Sequence, residues 1–281
     1  KQSAQTNLRL VTLDAHALAE DFSKAQLKHE ISQSASSEEA TEQTISLEER
    51  YTLLDELLKS NDYQTVERNC TISLDASDKD GETSWEIRRT NTLENDLVGG
   101  LMNDLTDPDI LLPEDTILVY LNTLKNMTAE ELGNYLNADS IISTEDPAKI
   151  SLAEALVKQV HSTFDYSIGE TTVSGYTATV TATITTFDSD AILENYQKEL
   201  DTYLASVDAV IDGSQKRYEK SYSLLLEYIE ENTATKTVET TFTLINDGAS
   251  WKLEDAGTVF GQALFGTLSS SPVEDKQETN G

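Results

Sequence analysis

The run Asp75-Ala76-Ser77-Asp78-Lys79-Asp80-Gly81-Glu82 has the residue types of a cation loop: carboxylates at short intervals around a glycine. Its register does not fit. With Gly81 at the sharp turn, Ala76 falls where the first ligand belongs, and Ile87 where a bidentate carboxylate must close the shell. An elaborated turn uses the same residues without a metal. Other reactive groups are sparse. Cys70 is the single cysteine, so no internal disulfide can form, and His16, His29 and His161 show no spacing that would activate a thiol. The chain has no zinc-ligand spacing, phosphate-cradling glycine loop or nucleophile elbow, and neither metal nor cofactor is expected.

The chain also reads as one backbone unit used twice. Residues 14–22 (Asp14-Ala15-His16-Ala17-Leu18-Ala19-Glu20-Asp21-Phe22) line up with 188–196 (Asp188-Ser189-Asp190-Ala191-Ile192-Leu193-Glu194-Asn195-Tyr196). Further on, 51–56 match 222–227, Val66-Glu67 match Val238-Glu239, and Ser84-Trp85-Glu86-Ile87 match Ser250-Trp251-Lys252-Leu253. The order is kept, and the offset drifts only where loops would fall. Each copy runs strand, helix, helix, strand pair, short apolar helix. The clearest strand is 176–186, where Tyr176, Ala178, Val180, Ala182 and Ile184 alternate with threonines, the period of a half-buried strand. Asp188 or Asp190 can then cap a helix with Ile192, Tyr196, Leu200, Tyr203, Leu204 and Val207 on one face. The second helices carry Tyr218, Tyr222, Leu225, Leu226 and Ile229 in one copy, and Tyr51, Leu54 and Leu58 in the other. Asn246-Asp247-Gly248 predicts a tight hairpin. The short apolar helices are expected over 97–105 and 259–268, and the polar stretch Gln33 to Thr44 as a solvated loop. Cys70 aligns with Phe242 and is expected in the core, and the equivalence of Trp85 and Trp251 predicts one shared packing role.

Ahead of the second copy stand three helical stretches, 116–125, 127–136 and 151–161, and a strand at 164–168. The first copy has no counterpart. The chain opens at Lys1 without an initiator Met, directly on a strand, so the counterpart is expected upstream. The domains are therefore expected at 1–106 (an incomplete first repeat with a polar loop at 33–45), 107–268 (a complete second repeat) and 269–281 (a mobile tail). The boundary falls at Thr106-Asp107-Pro108-Asp109.

Charge narrows the partners. There are 51 acidic against 20 basic residues, a formal net charge of −31. That field repels phosphate backbones and anionic lipid heads, which argues against nucleic acid and bare membrane as partners. It suits an extracellular surface, and it would draw a basic partner. No apolar run approaches the ~18–20 residues of a membrane span.

Helices at the front of a curved antiparallel sheet make an α+β fold. The stretch 113–125 (Pro-Glu-Asp-Thr-Ile-Leu-Val-Tyr-Leu-Asn-Thr-Leu-Lys) resembles the first helix of the NTF2-like, or cystatin-like, modules of surface lipoproteins from Gram-positive bacteria. Thr243-Leu244 through Gly248, with Trp251, Lys252 and Leu253, resembles their closing hairpin. The resemblance implies tandem cone-shaped sheets, the first N-terminally incomplete, on an extracellular protein held at the cell surface by an upstream lipid anchor. It also implies a pocket inside the cone. There Asp165 as base opposite the Tyr166 phenol would suit proton abstraction beside a carbonyl, with Tyr120, Tyr176 and Tyr222 as lining candidates. No enzymatic relative's motif is matched residue by residue, and tyrosine at helical spacing more often packs than reacts. Two expectations stand. One is a non-enzymatic binding or spacer module of the cell envelope, with a protein or small-molecule partner. The other is a small-molecule pocket or acid–base enzyme in the second repeat. A lid or dimer role for the terminal helices around Phe260 and Phe265 is a further expectation.

Overall fold

A computed structural model describes residues 2–36, 45–79, 82–136 and 147–269. The chain divides into two compact units. Unit 1 takes in Lys1–His29, Gln43–Leu112 and Asn246–Trp251; unit 2 takes in Glu30–Glu42, Pro113–Ile245 and Lys252–Gly281. Together the described residues form a mixed α+β architecture of two open antiparallel sheets and eleven α-helices. None of these helices is long and apolar enough to cross a membrane.

Unit 1 is built on three strands, β1 (Ser3–Leu13), β2 (Thr65–Lys79) and β3 (Glu82–Ile87), in the order β1-β2-β3. Helix α1 (Ala15–Ser36), of which residues 15–29 belong to this unit, and α2 (Leu47–Ser60) lie between β1 and β2 in sequence, and α3 (Asn91–Leu97) and α4 (Leu101–Asp104) follow β3. Leu8 pairs with Cys70 and Thr6 with Ile72, so the apolar residues of both strands share one face. There Cys70, Ile72 and Leu93 form a small core, with Leu10 and Leu74 packed against it. Cys70 is thus buried, as expected. A second cluster joins Ala19 to Ile110 and Leu111. The expected helix at 97–105 is broken in two. Gly99 and Gly100 take φ of +72° and +91°, and a Cβ on Gly99 would stand 2.8 Å from Thr12 Oγ1. Only glycine makes this turn cheaply.

Unit 2 opens with α5 (Pro113–Asn126), α6 (Ala129–Tyr135) and α7 (Pro147–Thr163). Its sheet follows in the order β4 (Asp165–Ser174), β5 (Thr177–Phe187), β6 (Thr235–Asn246), β7 (Trp251–Leu253). Helices α8 (Ser189–Leu204), α9 (Val207–Ile211) and α10 (Ser214–Glu231) come between β5 and β6, and α11 (Ala256–Phe265) closes the unit with a 3-10 turn at Gly266–Ser269. The threonine alternation behaves as expected from Ala178 onward: Ala178, Val180, Ala182 and Ile184 are buried, while their threonine neighbours face outward. Val180 pairs with Phe242 and Ala178 with Leu244, which extends the apolar face across β6. Phe242 meets Phe260 of α11 at a ring distance of 5.2 Å, and Phe260 meets Tyr120 of α5 at 6.1 Å. Burying a phenylalanine of this kind stabilises by roughly 1.5–3 kcal/mol. Phe260 and Phe265 are themselves core residues, 0% and 2% exposed.

Several expectations change. Tyr176 is not the first inward residue of β5. It precedes that strand in the β4–β5 turn beside Gly175 and is 77% exposed. The stripe ending in Leu204 and Val207 leaves both exposed, because the helix stops at Leu204 and Val207 opens α9. Gln33 to Ser36 are helical: α1 continues through them while Ile31 and Ala35, one turn apart, stay buried. The rest of that expected loop, and the tail from 270, lie outside the described residues. The two tryptophans do not share an environment. Trp251 is buried and its Nε1–H donates to Asp109 Oδ1 at 2.9 Å, whereas Trp85 is 47% exposed on the apolar face of β3. Asp109 also accepts from Asn246 Nδ2 at 3.2 Å.

Candidate functional site

The strongest chemical candidates stand at the start of β4, opposite the last turn of α5. Pro113 and two carboxylates in the first turn start α5, and Lys125 lies in its last turn, the charge order a helix dipole favours. Asn122 and Lys125 are three residues apart, so they share a face. Lys125 Nζ donates to Asp165 Oδ1 at 2.6 Å and lies 5.7 Å from the centre of the Tyr166 ring. Tyr166 Oη donates to Asn122 Oδ1 at 2.5 Å, and its ring packs 5.9 Å from that of Phe164.

The electrostatics follow. The Lys125 ammonium holds the Asp165 carboxyl below the usual aspartate range, and the Tyr166 backbone amide adds to it. Asp165 in turn raises Lys125. Burial pushes the Tyr166 phenol up. A general base is most effective with its pKa near the working pH. Asp165 is moved the other way, on an exposed ion pair. The arrangement ties the start of β4 to the end of α5.

The tyrosines expected to line a pocket lie in separate surroundings. Tyr120 packs on Phe260, and its burial raises its phenol pKa, with Glu30 adding to the effect. Tyr135 is raised further, mainly by burial. Tyr222 is buried with its ring 4.6 Å from that of Tyr218. Tyr176 stands in solvent. Of the acids in the supposed calcium loop, Asp75 pairs with Arg88, and Asp78 Oδ1 accepts from Thr83 Oγ1 at 2.7 Å. Asp80 and Gly81 lie outside the described residues, among which no cluster of metal-ligating side chains occurs.

Two further groups belong to these contacts. Lys125 was visible only as a helix-ending residue; its i, i+3 relation to Asn122 was the available signal. Asp109 was read as part of a boundary, yet it accepts from both Trp251 and Asn246 across a sequence separation no local pattern reveals.

No protein-family model matches this chain, and no curated protein matches it. One solved structure does align. It is a candidate lipoprotein of Bacillus subtilis, 13% identical, with 72% of each chain covered and a TM-score of 0.36.

Proposed function

We propose that the chain is a non-catalytic binding or spacer protein of the cell envelope, built from two copies of one NTF2-like, cystatin-like unit. The observation that carries the functional half is the engagement of Asp165 and Tyr166. The carboxylate is locked to Lys125 and the phenol to Asn122, which leaves neither group poised for proton transfer. Support for the repeated unit is local and geometric. Sheet order β1-β2-β3 matches β5-β6-β7. Asp14 N–H donates to Gln64 O at 2.8 Å where β1 leaves β2, and Asp188 N–H donates to Ala234 O at 2.9 Å where β5 leaves β6. Each aspartate then caps the following helix through Oδ1, accepting from Ala17 N at 3.2 Å and from Ala191 N at 3.2 Å. Gly248 at φ +89° completes the turn of the closing hairpin that the resemblance rests on. The divergent tryptophans count against strict equivalence and confine it to the strand–helix framework. The envelope location is supported by the acidic surface and by the resemblance of 113–125 and 243–253 to surface lipoprotein modules.

The test is protease treatment of intact cells of the native host. The protein should be degraded while a cytosolic marker survives. Full protection until the cells are lysed would overturn the location. An experimental structure in which the Asp14 and Asp188 caps failed to coincide on superposing β1-α1-β2 on β5-α8-β6 would overturn the repeat.

A further inference from the structure

We propose that the helical hairpin of unit 2 carries a lipid-docking tip: the turn between α8 and α10 inserts its aliphatic side chains into the interface of a phospholipid bilayer, with the cations behind them set on lipid phosphates. The hairpin is tied along its whole length. At its base Asp188 N–H donates to Ala234 O at 2.9 Å. Midway, Tyr196 Oη and Ser221 Oγ share a hydrogen bond at 3.3 Å. Near the turn, Tyr203 Oη donates to Asp212 Oδ2 at 3.0 Å. Helix α8 packs on α10 between these ties. Beyond Leu204 the chain makes the five-residue α9, capped by the Ser206 side chain, with Ala209 buried. Val207, Val210 and Ile211 follow the i, i+3, i+4 spacing, so they share the other face of α9. They are 73%, 83% and 74% exposed, and Leu204, which ends α8, is 50% exposed.

Aliphatic side chains gathered in water at one exposed turn mark a protein or membrane contact. Size and charge choose the membrane. Four side chains are far fewer than the roughly 20–30 residues a side of a stable protein pair, so two such tips would not hold each other. A bilayer needs no matching shape, and it takes up an apolar face to a depth of about 5–10 Å. The net charge of −31 argues against a membrane for the chain's surface as a whole. Within the hairpin, however, charge is sorted along its length. The base, residues 188–197 and 221–231, holds Asp188, Asp190, Glu194, Glu227, Glu230 and Glu231 and no lysine or arginine. All the hairpin's cations, Lys198, Lys216, Arg217 and Lys220, lie toward the tip, in 198–220. The acids of that stretch are Glu199, Asp201, Asp208, Asp212 and Glu219, and Asp212 is paired with Lys216 at 3.7 Å. The 16 residues of α8 put about 24 Å between base and tip. That is well beyond the ~8 Å screening length at physiological salt. Lipid phosphates at the tip therefore meet its cations while the acids of the base are screened.

The test uses the full chain and vesicles of phosphatidylcholine and phosphatidylglycerol in equal amounts, at physiological salt. The wild-type chain should float with the vesicles. Val207→Asp combined with Ile211→Asp should weaken binding at least about tenfold. Arg217→Gln combined with Lys220→Gln should weaken it severalfold. All four side chains are exposed, so both variants should keep the wild-type circular dichroism. Depth is read from an environment-sensitive dye on Val210→Cys; Cys70 is buried, so the dye goes to the new thiol. Vesicles should shift its emission to the blue, and a nitroxide on the lipid acyl chain should quench it. The same dye on Tyr176→Cys, exposed in the β4–β5 turn, should show neither effect. Absent flotation, undiminished flotation of either variant, or equal quenching at the two dye positions each overturns the proposal. A blue shift that grows with protein concentration in the absence of vesicles also overturns it, by seating the tip on a second copy. Purified protein and vesicles give these results whether or not intact cells protect the chain from protease, so lipid docking and the envelope location fail separately.

Discussion

Asp165 and Tyr166 show how a partner in a distant element changes what a residue type can do. An acid beside a phenol reads as a proton-transfer pair. Lys125, forty residues earlier in the chain, turns the acid into a fastener. The titration of Asp165 checks this. Free aspartate titrates near 3.9; in the folded chain the Asp165 carboxyl should titrate lower by carboxyl-detected NMR, and Lys125→Ala should move it back up. The lowered folded-state value fixes the sign: whatever stability the pair contributes is present above the unfolded-state pKa and is lost as pH falls through the folded one. A midpoint at or above the free value would show that the ion pair does not form in solution. The tryptophans give a second residue-scale test. The chain has two. Trp251→Phe leaves the exposed Trp85, whose emission should be red-shifted and readily quenched by acrylamide. Trp85→Phe leaves Trp251, sealed against Asp109, with blue-shifted and protected emission. Similar quenching in both variants would contradict the separate environments.

At the scale of elements, the aspartate caps are the sharpest comparison. Asp14 and Asp188 each close a strand pair with the backbone amide and cap a helix with the side chain. Removing such a cap costs about 1 kcal/mol. Asp14→Ala and Asp188→Ala should each lower stability to denaturant by that order, with the m-value unchanged. A loss confined to one variant would mean that one cap is ornamental. Gly99→Ala should cost more, on the order of 1–3 kcal/mol, since it combines a positive φ with a Cβ set against Thr12 Oγ1. What could be read in advance follows the same local logic. The Ala-Val-Ala-Ile alternation of β5, the Asp188 cap and the Asn246-Asp247-Gly248 turn are short-range signals, and each was legible. The extension of α1 through Ser36 was not, because its polar composition argues for a loop while the burial of Ile31 and Ala35 decides for a helix. Nor was the break at Gly99-Gly100 within an apolar run, nor the bulge between Ile168 and Thr171, where a Cβ on Gly169 would lie 2.5 Å from Thr181 Oγ1. Of the candidate site, the sequence offered the acid and the phenol but neither Lys125 nor Asn122 as their partners. An i, i+3 spacing on a helix does not announce the strand it faces.

For the molecule as a whole, charge sets the response to solvent. With 51 acidic and 20 basic residues, most carboxylates have no cation to pair with. Exposed pairs such as Arg9–Glu67 or Lys59–Asp55 contribute about 0–1 kcal/mol each and weaken as salt rises. Repulsion among the excess carboxylates also weakens, and it acts with the opposite sign on stability. Which effect wins follows from the numbers: a net charge of −31 leaves more acids in excess than there are bases to pair. Raising ionic strength from about 0.01 M to about 0.1 M shortens the screening length from roughly 30 Å to roughly 10 Å, within the dimensions of one unit. The thermal midpoint at pH 7 should therefore rise with sodium chloride over that range. Calcium at matched ionic strength should raise it gradually, without a saturable step of fixed stoichiometry, because Asp75 is committed to Arg88 and no described residues assemble a cation site. A midpoint that fell with salt would mean that the surface ion pairs outweigh the excess charge. A stoichiometric calcium step would mean that the acidic run from Asp75 holds metal despite its failed register.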